Sequence, residues 1–345
     1  MDIIVLCGGL STERDVSLKS SAMIARALRE NGHRAVLVDS FFGYTGTYGD
    51  PGEIFSKPVR DGTAEISVDV PDLRALAGRR EQKNNSRVGD NLLEVCRAAD
   101  IVFLGLHGAD GEDGRLQAMF DVAGIQYTGS GHLASACAMD KATAKRLMAA
   151  AGINVAEGLI VTRANAHAPA PFLPCVVKPR SGGSSVGTSV VRGEQEYADA
   201  LALGFTYADE LLVERYIAGR EIDVGVLRDE ALPPIEIRPG SGFFDYKNKY
   251  QAGGAEEICP IPDLPQGWDE ALRQTAIRVW DTLGLEVYAR MDFIVDGSGR
   301  IWCLEANTLP GMTPASLLPR EARAAGISYN QLCEQIIAGS MERFL

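Results

Sequence analysis

With 345 residues, 46% of them hydrophobic and 23% charged, the chain is too apolar to stay unfolded and too long for one core, so two or three domains are predicted. A net charge of -12 argues against nucleic acid or anionic membrane as partners, because both reward clustered Lys and Arg. The opening MDIIVLCGG has no basic leader, no apolar run is long enough to span a bilayer, and seven cysteines stand without CxxC spacing. A cytoplasmic protein with buried free thiols is expected.

Ile3 to Cys7 is an apolar run that breaks at Gly8-Gly9, and apolar positions then recur at helical spacing as far as Gly32. Ala35 to Asp39 is a second strand, so the chain opens with a βαβ unit and a parallel sheet. From Phe42 to Asn91 the patterning fails, which predicts an insertion with a short hairpin near Glu65 to Val70. Leu92 to Ala98 reads as a helix, IVFLGLHG as a strand ending at Gly108, and GADGEDG as a glycine-rich loop. Arg115 to Ala123 is a helix, IQYTG a short strand and SGHLASACAMDK a small-residue loop. Ala142 to Ala151 and Glu194 to Leu203 read as helices, with the strand CVVKP and the loop RSGGSSVGTSVV between them. Glu210 to Tyr216, Arg220 to Val226 and Pro234 to Arg238 are strands, and Ser241 to Glu257 is an irregular loop. Trp268 to Leu283 and Ile327 to Phe344 close the chain as helices. Domains are expected over residues 1–129, 130–216 and 217–345.

The stretch Arg290 to Thr313 organises the rest. Met291 to Val295 and Ile301 to Leu304 are apolar runs joined by Asp296-Gly297 and Ser298-Gly299, which predicts a hairpin. Strand alternation puts Arg290 and Asp292 on one face, and Glu305 and Asn307 on one face of the partner strand. Two carboxylates and an amide oxygen suit magnesium, which leans on phosphate and water for its other ligands. A hairpin with solvated charges fits the same residues.

Arg180 to Gly187 has the glycine content to wrap backbone N–H groups around an anion, or to act as a plain connector. It is no Walker A loop, since Lys178 precedes it at the end of a strand. Lys141 begins a helix, where its charge opposes the macrodipole unless an anion is also present. Glu214 and Glu221 are strand-end charges that, with Tyr216 and Ile217, could instead line a nucleotide. His107 follows a buried strand at the carboxyl end, where open parallel sheets bind ligands, and Glu13 lies at the end of another. A structural histidine is the other reading.

GGLSTERDVSLKSS, LHGADGEDGRLQ, YTGSG, SACAMDK, VVKPRSGGSSVG, GREIDV, FFDYKNKY, RMDF and EANTLPGMTPASLLP follow in that order between Gly8 and Pro319. In type and order these strings resemble the motifs of the D-alanine–D-alanine ligases of the ATP-grasp superfamily. The resemblance implies an α/β protein of three domains, α+β in its ATP-binding part, with ATP sandwiched between two antiparallel sheets. It implies ATP-dependent ligation of two D-alanines through an acyl phosphate, two Mg2+ or Mn2+ ions, a monovalent cation such as K+, and a homodimer formed through the N-terminal domain.

By the same resemblance, Glu13 and His107 hold the first D-alanine with Val16 beside its methyl group. Lys141 and Lys178 bind ATP phosphates beneath the Ser184-Ser185-Val186-Gly187 loop, and Glu214 and Glu221 contact adenine and ribose beside Tyr216 and Ile217. Asp292, Glu305 and Asn307 are the metal ligands, and Arg290 with the Gly311 backbone steadies the oxyanion. Ser316 and Leu317 receive the second D-alanine, while Lys249 and Tyr250 belong to a closing loop, Tyr250 completing a triad with Glu13 and Ser184. Asp15, Ala118 and Met291 depart from the usual family residues without removing a charged role. The Lys249-Tyr250 pair favours an amine as second substrate, because ligases that make D-alanyl-D-lactate lack it. Alternatives are a ligase for another second amino acid such as D-serine, and an inactive nucleotide- or amino-acid-binding module.

Overall fold

The computed structural model describes residues 1–57, 71–80, 85–239 and 255–345. The expected hairpin near Glu65 to Val70, and Lys249 and Tyr250, lie outside them.

β1 (Asp2–Cys7), β2 (Arg34–Asp39) and β3 (Ile101–Leu104) make a parallel sheet in the order β2-β1-β3. Ile3 to Cys7 are all buried, as expected for a strand covered on both faces. Around it lie α1 (Arg14–Glu30), α2 (Leu73–Ala77), α3 (Leu92–Arg97), α4 (Ala109–Glu112) and α5 (Arg115–Ala123). The strand expected at IQYTG is reduced to one parallel bridge between Val102 and Tyr127.

The small-residue segment after it is not a loop. α6 (His132–Met139) is helical, since alanine is the best helix former, and its buried Ala134 and Ala138 allow close packing. α7 (Lys141–Ala150) follows at once, with Asp140 capping it by accepting from Thr143 N at 2.9 Å.

β4 (Gly158–Thr162), β5 (Cys175–Pro179), β6 (Ser189–Val191) and β7 (Glu210–Arg215) form an antiparallel sheet, order β4-β7-β5-β6, with α8 (Glu194–Gly204) packed through Tyr197 and Leu201. The second antiparallel sheet contains β8 (Gly219–Leu227), β9 (Glu230–Ala231), β10 (Ile235–Pro239), β11 (Ala255–Ile258), β12 (Tyr288–Asp296) and β13 (Ile301–Asn307). Its order is β11-β10-β8-β12-β13, with β9 on β8. β11 occupies the end of the stretch expected to be irregular. Met291, Phe293 and Val295 point into a core shared with Leu272 and Val279 of α9 (Trp268–Leu283) and with Ala134 and Met148. Arg290, Asp292 and Ile294 therefore face the other way.

The hairpin has one irregularity. Asp292 pairs with Glu305, but Phe293 pairs with Cys303, so Leu304 is an extra residue in β13. This β-bulge turns both Leu304 and Glu305 to the side of Asp292.

α10 (Leu317–Ala324) and α11 (Tyr329–Glu342) end the chain, the latter with a Ser328–Gln331 capping box. Leu332, Ile336 and Ile337 of α11 are buried in the core of the parallel sheet, each contributing about 1.5–3 kcal/mol of transfer free energy. The last helix thus ties the chain's end to its beginning. Among the described residues no helix is long and apolar enough to cross a membrane.

Candidate active site

A cleft of roughly 1050 Å³, measured to its open mouth, lies between the two antiparallel sheets. β5 and β7 contribute Lys178 and Glu214, with Tyr216 and Ile217 just beyond β7. β8, β12 and β13 contribute Glu221, Asp292 and Glu305 from the opposite side. Lys141 and Ser184-Ser185-Val186 complete the lining, whereas Gly187 packs against Tyr207 and Pro179.

The cleft floor holds a buried charge cluster. Glu214 Oε1 stands 2.8 Å from Lys145 Nζ, and Oε2 stands 2.7 Å from Lys178 Nζ. Burial alone would raise the Glu214 pKa, but the two lysines hold it below the ordinary value. On Lys145 burial outweighs Glu214 and lowers the pKa, whereas on Lys178 the attraction of Glu214 and Glu305 overcomes burial and raises it. Lys141 Nζ lies 3.2 Å from Glu305 Oε2, which supplies the anion that a cation at the start of α7 requires.

Across the cleft, Arg290 donates from Nε and Nη2 to the two oxygens of Asp292, at 2.7 and 2.9 Å. Its Nε also lies 3.2 Å from Asp223 on β8, the register partner of Asp292. Burial opposes charge on Arg290, but Asp292 and Asp223 raise its pKa well above normal, so the guanidinium stays charged. Asn307 donates Nδ2 to Asp292 Oδ2 at 2.9 Å, so its amide oxygen is the atom left as a ligand. Among the described residues no three His, Cys, Asp or Glu side chains form a ready-made metal cluster. Asp292, Glu305 and Asn307 are all hard oxygen donors, which fits magnesium completed by phosphate and water and not a closed protein cage.

The loop over the cleft is anchored from the parallel-sheet side. Ser184 and Ser185 have φ of +52° and +54°, a conformation that L-residues hold only under outside constraint. The Ser184 hydroxyl donates to Glu13 Oε1. A Cβ on Gly183 would stand 2.6 Å from Glu13 Oε2, so this close approach requires glycine.

His107 is buried, with Nδ1 3.0 Å from Leu309 O and Nε2 3.2 Å from Ser20 Oγ. A carbonyl only accepts, so Nδ1 carries the proton. Glu112 grips the same loop, accepting from Leu309 N at 3.1 Å and from Gly108 N. Burial and the nearby Glu13 push its carboxyl up. The histidine turn and the loop carrying Gly311 are thereby fixed to each other. Gly311 lies against Ser316, whose Oγ accepts from Thr313 N at 3.1 Å. Leu317, first residue of α10, is buried on Ile235 and Ile237, and Val16 is buried on α1.

Four functional-looking residues escaped the sequence reading. Lys145 lies four after Lys141 on one helix face, and Asp223 two after Glu221 on one strand face, so periodicity was the available signal. Glu112 and Glu321 carry no local signal, since both depend on partners distant in sequence.

The chain is matched over residues 2–130 by the family described as "D-ala D-ala ligase N-terminus" and over 147–338 by "D-ala D-ala ligase C-terminus". A D-alanine–D-alanine ligase of Pediococcus pentosaceus is 42% identical, covering 100% of this chain and 99% of that protein. One from Geobacter sulfurreducens is 40% identical, covering 96% and 92%. The D-alanine–D-alanine ligase of Bacillus anthracis superposes with a TM-score of 0.72 at 30% identity, covering 99% and 98%. The VanG D-Ala:D-Ser ligase of Enterococcus faecalis gives 0.74 at 28% identity, covering 98% of each chain. With two sheets closing on a lysine-lined cleft and both halves of the chain matched, the protein belongs to the D-alanine–D-alanine ligase family, with the ATP-grasp fold.

Proposed function

We propose that the protein joins two D-alanines into D-alanyl-D-alanine at the expense of ATP, for peptidoglycan precursor synthesis. A carboxylate is a poor electrophile, so the γ-phosphoryl group of ATP passes to the carboxylate of the first D-alanine, giving an acyl phosphate and ADP. The free amine of the second attacks that carbonyl and phosphate leaves as the peptide bond forms. Lys141 and Lys178 spread the charge of the transferring group, exchanging Glu305 and Glu214 for phosphate oxygens. Tyr216, Ile217 and Glu221 line the adenine and ribose end. Asp292, Glu305 and Asn307 would hold Mg2+ or Mn2+, which when bound offsets the negative charge of the phosphates. Arg290 and the N–H of Gly311 stabilise the tetrahedral oxyanion. Glu13 and His107 orient the first D-alanine beside Val16, and Ser316 and Leu317 receive the second.

One observation carries this reading. Two lysines, an acid pair and a carboxylate-braced arginine line or border a single cleft, in a chain related end to end to ligases of that activity. The test is ADP release with D-alanine alone, L-alanine alone, and D-alanine paired with D-serine or D-lactate, with product masses determined. Dipeptide from D-alanine alone supports the assignment; turnover only when D-serine is supplied replaces the second substrate, and no turnover with any pair ends it.

A further inference from the structure

Glu321 has no part in the mechanism above, yet it is fully buried within α10 beside the site. Its Oε1 accepts from Gly225 N at 2.7 Å. Gly225 lies in the interior of β8, opposite Arg290 in the register between β8 and β12. The pairing of β10 with β8 reaches only Asp223, so Glu321 takes this N–H where no β10 residue is paired. A Cβ on Gly225 would stand 2.5 Å from Leu318 Cδ1 and 3.0 Å from Glu321 Oε2. The glycine is what lets the helix lie directly on the strand.

The start of that helix is the other half of the argument. Ser316 and Leu317, assigned above to the second amino acid, stand one turn before Glu321. One short rigid element therefore begins at the acceptor site and is pinned beside Arg290. A buried carboxyl is a costly way to fill space, and an aliphatic side chain would pack there more cheaply. Burial pushes this carboxyl up to about 8, so near neutral pH it is largely protonated and an amide can imitate it.

We propose that Glu321 is a positioning residue that fixes the spacing between the acceptor-binding start of α10 and the Arg290 guanidinium, and so sets how the second amino acid presents its amine. The proposal rests on the ligase reading above. Loss of the Gly225 bond lets α10 drift, which affects capture of the second amino acid and not formation of the acyl phosphate.

The test is steady-state kinetics of the full chain with separate KM values for ATP and for the first and second D-alanine. Positional isotope exchange in ATP reports acyl-phosphate formation. Glu321→Ala is expected to raise the second KM about tenfold or more and to lower kcat, the effect of about one hydrogen bond. The KM for ATP and for the first D-alanine, and isotope exchange, stay within about twofold, and Glu321→Gln restores the second KM. Gly225→Ala, which pushes on Leu318 and Glu321 from the strand side, gives the same selective loss and serves if Glu321→Ala does not fold. The proposal is overturned by an unchanged second KM in Glu321→Ala, by all three KM values rising together, or by Glu321→Gln being as impaired as the alanine variant. A wild-type protein that releases no ADP with D-alanine would instead sink the ligase reading itself.

Discussion

Ser184 on the central loop donates its hydroxyl proton to the carboxylate of Glu13, a residue 171 positions earlier. Both side chains are buried, and the bond joins the loop over the cleft to the turn at the end of β1. It also restrains a serine whose backbone lies in the left-handed region. A hydrogen bond to a charged group contributes about 1.5–3 kcal/mol. Ser184→Ala should therefore lower kcat/KM for D-alanine about 10- to 100-fold, a larger loss than any fall in nucleotide affinity. ADP release and equilibrium nucleotide binding measure the two.

Asp292 balances Arg290 and is, with Glu305, one of the two carboxylates proposed above to hold a divalent cation. Asp292→Asn keeps the shape and removes the charge. The magnesium concentration for half-maximal activity should rise at least about tenfold in this variant and in Glu305→Gln. Manganese binding in the presence of nucleotide, followed by electron paramagnetic resonance, should weaken in parallel.

Lys145 and Lys178 together neutralise Glu214. Lys145→Met retains the packing volume and leaves one buried carboxylate with one cation where there were two. Because Lys178 remains, the cost should be about 1–3 kcal/mol, below that of an uncompensated buried charge. It should appear as a lower urea midpoint with an unchanged denaturant slope.

Glu321 titrates at about 8 in the folded chain, against an ordinary value of 4.5. Between those values the folded protein binds more protons than the unfolded chain, so stability falls as pH rises through the window. Glu112, pushed up by burial and by Glu13, contributes with the same sign. Urea unfolding should therefore show the protein losing on the order of 3 kcal/mol per group between pH 5 and 8. Glu321→Gln should flatten the profile and be relatively more stable at pH 8.

Much of this site could be read from the chain because its residues recur at the period of the element that carries them. Arg290 with Asp292, and Glu305 with Asn307, are each two apart on a strand, and turn dipeptides marked where the strands join. His107 and Lys178 were recognisable as strand-end residues before glycine-rich loops. What escaped was tertiary: Glu112 bonds Leu309, 197 residues later, and Glu321 bonds Gly225, 96 residues earlier. α6 escaped because its small residues looked loop-like, although alanine favours helix.

The extra residue at Leu304 has an evolutionary and engineering implication of its own. Counting back from the hairpin turn, strict alternation would set Glu305 across from Met291 and turn it toward the hydrophobic layer. Chemistry at this centre thus hinges on where the ladder breaks as much as on side-chain identity. A variant shortened by that single leucine would run as a regular ladder with Glu305 still across from Asp292, whereas one that kept the leucine but lost the irregularity would carry its acid pair on opposite sides of the hairpin and could no longer chelate.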